Sequence, residues 1–148
     1  MIRSFIEVEP ESHFPIHNLP YGVFRDKENK EPRIGVAIGE FVLDLAVLDE
    51  HGFFDSTGIG GKRVFRQASL NPFMQTGKKV WKEVRSIIQH LLKEDVPTLR
   101  DNWDLRNQAF KSQKDIELML PVEIKSYTDF YASKEHAANV GTIFRGKE

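Results

Sequence analysis

Apolar residues recur along this chain in two rhythms, and each predicts a different kind of element. The first half alternates. Gly22-Val23-Phe24 is a short strand candidate, and the polar run Asp26-Lys27-Glu28-Asn29-Lys30-Glu31-Pro32 after it reads as a turn or hairpin loop. Arg33 to Ile38 alternates and is rich in β-branched residues. Gly39-Glu40 interrupts it, and Phe41-Val42-Leu43-Asp44 resumes the pattern. Two such runs around a Gly-Glu step predict a tight hairpin. Leu45 to Asp49 suits one helical turn, and Ser56 to Lys62 is a glycine-rich polar loop.

The second half turns helical. Val80, Trp81, Val84, Ile87, Ile88, Leu91 and Leu92 form one apolar stripe at helical spacing. Lys79, Lys82, Glu83, Arg85 and Gln89 are assigned to the solvent face, and Pro97 is expected to end the helix because it lacks the amide a helix needs. A shorter helix is predicted over Leu99 to Phe110, with Leu99, Trp103, Leu105 and Phe110 as its contacts. Ile116 to Leu120 reads as a strand stopped by Pro121. Strands plus one long amphipathic helix define an α+β fold class. The Trp81-Ile88-Leu92 stripe could serve a partner, but core packing is the more ordinary use.

Composition narrows the function without naming it. The 148 residues suit one domain, or one small domain plus the start of another. With 21 basic against 22 acidic residues, the net charge of -1 gives no pull toward nucleic acid or an anionic membrane. There is no cysteine, which excludes disulfides and thiolate chemistry and fits a reducing compartment. No apolar run approaches the ~20 residues that span a bilayer. Met1 to Pro10 lacks the apolar core of a secretory signal, so a cytoplasmic protein is expected.

Chemistry-bearing residues crowd into the last 22 positions. Asp129 stands among Tyr127, Phe130 and Tyr131; a carboxylate is a hard oxygen ligand for calcium or magnesium, although a turn-forming or capping aspartate is the ordinary alternative. His136 can accept a proton near neutrality. Ser133 is placed to cap a helix starting near Lys134, which puts His136 in its first turn, where the positive helix end disfavours the imidazolium. Arg145 can clamp a carboxylate and Tyr131 can add a directional donor; solvent exposure and core packing are their ordinary readings. His13, His17, His51 and His90 are read as surface histidines. Gly58-Ile59-Gly60-Gly61-Lys62 is not a phosphate loop: the spacing fails and Arg63 follows the lysine, so loop flexibility is the expected role.

Several stretches carry a family resemblance. Tyr127-Thr128-Asp129-Phe130-Tyr131, His136-Ala137-Ala138-Asn139-Val140-Gly141 and Phe144-Arg145-Gly146-Lys147-Glu148 resemble the opening of the catalytic domain of the fumarylacetoacetase family. His13 to Phe24, Pro32 to Gly39, Leu43-Asp44-Leu45, Leu70-Asn71-Pro72-Phe73-Met74, Trp81-Lys82-Glu83 and Leu99-Arg100-Asp101 match the family in order along the chain.

The resemblance implies a small SH3-like β-barrel over residues 1–120 and the incomplete start of a mostly-β catalytic domain over 121–148. It implies metal-dependent hydrolysis of the carbon–carbon bond of 4-fumarylacetoacetate, a step of tyrosine and phenylalanine breakdown. His136 would be the base, Asp129 a ligand of Ca2+ or Mg2+, and Tyr131 and Arg145 substrate contacts. The remaining metal carboxylates, the group that orients His136 and much of a homodimer contact are expected from the family's later residues. The 148 residues alone are therefore expected to be inactive and to hold the ion weakly, with 127–148 floppy or self-associating. One alternative is a non-catalytic domain that folds alone and binds a partner. Another is a relative acting on acylpyruvates, which is weaker because such relatives generally lack the N-terminal barrel.

Overall fold

The protein is described by a computed structural model covering residues 2–146. Among these residues five strands form one antiparallel sheet: β1 (Tyr21–Asp26), β2 (Arg33–Ile38), β3 (Phe41–Asp44), β4 (Phe110–Ser112) and β5 (Ile116–Met119), in the order β4-β3-β2-β1-β5. Six α-helices accompany it among the described residues: α1 (Leu45–Glu50), α2 (Asn71–Met74), α3 (Lys78–Leu92), α4 (Pro97–Arg100), α5 (Trp103–Ala109) and α6 (Lys134–Arg145). The α+β expectation holds.

The predicted hairpin forms as β2–β3. Ile38 pairs with Phe41 across Gly39-Glu40, and Gly39 takes the positive φ of 53° that a two-residue turn requires. The polar loop between β1 and β2 is built by Asp26, whose carboxylate accepts the amides of Glu28 at 2.9 Å and Asn29 at 2.7 Å.

Arg33 is buried although alternation puts it on the face opposite Ile34, Val36 and Ile38. Its guanidinium donates to Asp26 and Asp44 and lies 4.4 Å from the centroid of the Phe24 ring. Asp44 also caps α1 by accepting the Ala46 amide. One buried cation thus ties the first loop to the start of the first helix, with its charge satisfied on two sides.

Helix α3 follows the predicted stripe, burying Val84, Ile88, Leu91 and Leu92. Trp81, read as part of that stripe, is 39% exposed, and two further details differ from the sequence reading. The helix stops at Leu92 because Lys93 turns extended and bridges Ser4, whose amide neighbour Phe5 donates to the Leu92 carbonyl at 3.2 Å. Pro97 lies beyond that stop and opens α4, where its missing N–H costs nothing. Arg85 and Gln89, assigned to the solvent face, instead donate to the carbonyls of His17, Leu19 and Ile16 and hold the N-terminal segment on the helix.

The helix predicted over Leu99 to Phe110 is three elements. Asn102 breaks it by capping α5 through the Leu105 amide, Phe110 begins β4, and Trp103 is 68% exposed. The glycine-rich loop is largely exposed but is anchored at Ile59. Ile59 is fully buried, and a Cβ on Gly60 would stand 2.7 Å from the Asp55 carbonyl oxygen. Phe54, Phe65 and Phe73 pack in series as tilted ring pairs at 5.1 and 5.2 Å, each contributing about 2–3 kcal/mol of burial. Among the described residues no helix is long and apolar enough to cross a membrane.

Candidate active site

Past Met119 the chain leaves the sheet. Its next regular element is α6, which contributes no buried residue. The segment between them organises itself through short-range polar bonds. Asp129 Oδ1 accepts the Tyr131 amide at 2.8 Å, closing an Asx turn, and Tyr131 adopts a positive φ of 52° to make it. Ser133 then caps α6 as its sequence position predicts: its Oγ accepts the His136 amide at 3.2 Å and donates to Glu135 at 3.0 Å.

The turn and the cap together bring the two expected chemical groups into contact. His136 Nε2 and Asp129 Oδ2 are directly hydrogen-bonded, although seven residues separate them. The Tyr131 ring stacks on the imidazole, with centroids 5.5 Å apart and planes 28° from parallel. The side chains of Asp129 and His136 remain 29% and 48% exposed. The Tyr131 amide, and next the His136 ring, hold the Asp129 carboxyl below its ordinary pKa, so it is anionic. Because an ionised Asp129 can only accept, Nε2 is the donor of this pair, and Nδ1 is the other ring nitrogen.

Asp129 is thus the carboxylate that meets the His136 ring.

Arg145 stands apart. Nine residues after His136, it projects from roughly the opposite side of α6. It lines a shallow hollow of about 300 Å³ with Tyr131, Ala137, Val140, Gly141 and Phe144. Tyr131 therefore joins the two halves, touching the imidazole and sharing the hollow with Arg145. Arg145 itself contacts neither Asp129 nor His136.

The donor set speaks to metal binding. Asp129 offers a hard anionic oxygen, but among the described residues no group of three or more His, Asp or Glu is placed to hold an ion. Asp129 fits as one ligand, and these residues do not complete a six- to eight-oxygen shell.

An α+β domain followed by a segment that pairs a carboxylate with an imidazole is thus the class of protein the geometry defines. The profile of the family described as Fumarylacetoacetase N-terminal matches residues 17–121, and the chain belongs to that family. It is similar to proteins named Fumarylacetoacetase from Dictyostelium discoideum (53% identical over 148 residues), Arabidopsis thaliana (47% over 148) and Homo sapiens (49% over 145). These alignments cover 98–100% of the chain but only 34–35% of each relative, so the chain spans about a third of the length of the relatives it matches.

Proposed function

We propose that these residues supply the base, a metal ligand and substrate contacts of a carbon–carbon hydrolase acting on 4-fumarylacetoacetate, in tyrosine and phenylalanine breakdown. The direct pairing of Asp129 with His136 carries this reading. The names of the relatives support the substrate.

In this reading His136 takes a proton from water through the ring nitrogen that faces away from Asp129. The resulting hydroxide adds to a carbonyl carbon of the β-diketone, and the bond to the adjacent carbon breaks. That carbon is protonated, and the products are fumarate and acetoacetate. Asp129 fixes the imidazole's tautomer and orientation. Tyr131 and Arg145 bind the substrate's polar groups from the hollow they share. A divalent ion, Ca2+ or Mg2+, would be held by Asp129 with carboxylates outside these residues, and when bound it polarises the diketone oxygens.

The same reading takes the five-stranded sheet as the family's SH3-like barrel and 121–146 as the start of the catalytic domain. It also takes the whole protein as a cytoplasmic homodimer.

The test is a chimera in which this chain replaces the matching third of the Dictyostelium discoideum relative. We expect the chimera to consume 4-fumarylacetoacetate and residues 1–148 alone to leave it intact. His136→Ala should lower the chimera's kcat by ~10²–10⁴. Turnover by the short chain, or unchanged kcat in the variant, contradicts the proposal.

A further inference from the structure

The motif Leu70-Asn71-Pro72-Phe73-Met74 lies against the chain just past β5. We propose that Asn71 is a positioning residue: its side-chain amide grips the peptide of Glu123 and fixes where, and in which direction, the segment carrying Asp129 and His136 leaves the sheet.

Three hydrogen bonds make the clamp. Asn71 Nδ2 donates to the Glu123 carbonyl at 3.0 Å, the Glu123 amide donates to Asn71 Oδ1 at 3.0 Å, and the Leu70 amide donates to the Pro121 carbonyl at 2.7 Å. The first two satisfy one residue's N–H and C=O together, as a neighbouring strand would. Asparagine suits this because one planar group carries a donor and an acceptor side by side; aspartate keeps only the acceptor.

The clamp stands on a rigid base. Asn71 opens α2, whose Phe73 is buried against Tyr21 and Phe65 at 5.3 and 5.2 Å, and the Trp81 indole donates to the Phe73 carbonyl at 3.0 Å. Beyond Glu123 the described residues make no hydrogen bond back to residues 2–122, and α6 buries no side chain. The Glu123 peptide is thus the last hydrogen-bonded fixed point before the site. A one-point contact there would let the segment swivel, whereas a two-point contact sets its heading.

The inference rests on the functional reading only for what the segment carries; the clamp is tested without turnover. Amide hydrogen exchange is followed in the 148-residue chain and in Asn71→Ala and Asn71→Asp. The chain has no cysteine, so spin labels at Lys27→Cys and Asn139→Cys report the distance from the sheet domain to α6 in each background. In Asn71→Ala we expect the Glu123 amide to exchange roughly fivefold faster, as the loss of one modest hydrogen bond implies. We also expect the distance distribution to widen while the thermal midpoint holds. Asn71→Asp should fall between the two.

Unchanged exchange at Glu123 overturns the proposal. So does an acceleration of exchange across the whole core with a lower midpoint, which would make Asn71 merely structural. A chimera that fails to turn over while these shifts appear would sink the functional reading and leave the clamp standing.

Discussion

Tyr21 and Arg33 show how single polar groups are carried inside this domain. The Tyr21 hydroxyl is buried without a hydrogen-bond partner among the described residues. Burial pushes its pKa up to about 12, with the Arg85 charge pulling the other way. A folded pKa above the unfolded value of roughly 10 means the stabilisation is complete below pH 10 and is lost as pH rises toward 12, by up to about 2–3 kcal/mol. Chemical denaturation across that range should show the decline, and Tyr21→Phe should flatten it. Arg33 is the reverse case, a buried charge with its partners in place. Arg33→Ala would leave Asp26 and Asp44 facing each other without their cation, at a cost of about 3–5 kcal/mol in urea unfolding. The burial of Arg33 was not legible in the sequence. Alternation marks which face a residue is on, but it cannot show that two aspartates, seven positions before it and eleven after, converge on that residue.

At the scale of elements, the chain announced what depends on neighbours in sequence. The hairpin at Gly39-Glu40, the stripe of α3 and the Ser133 cap all follow local rules, and all formed as read. What it concealed depends on distant partners. Lys93 ends α3 because Ser4 bridges it from the N-terminus, and Arg85 and Gln89 point inward because Ile16, His17 and Leu19 pass over them. β4 is three residues long and exists through its pairing with β3. The candidate site divides the same way. The Asx turn at Asp129 and the cap at Ser133 are short-range, so the approach of Asp129 to His136 was within reach of the sequence; the two-point hold of Asn71 on Glu123 was not. Helix α6 has 12 residues and no buried side chain, close to the length at which isolated helices are marginal, so its cap matters. Ser133→Ala should weaken it by about 1 kcal/mol, visible as lost helicity over 134–145 in carbonyl and Cα chemical shifts while the sheet resonances stay in place.

For the whole molecule, the buried core lies among residues up to Ala109, and the polar groups after Met119 are arranged but largely exposed. Tyr127, Phe130, Ile143 and Phe144 lie open on that segment. Within that segment, the proposed function requires Asp129 and His136 to act as a unit. The most direct measurement is a double-mutant cycle on kcat for 4-fumarylacetoacetate in the chimera, using Asp129→Ala, His136→Ala and the pair. Groups that serve one step are strongly non-additive, so each single change should cost ~10²–10⁴ and the double variant little more than the worse of the two. Losses that multiply, or a single variant that keeps full kcat, would contradict the account.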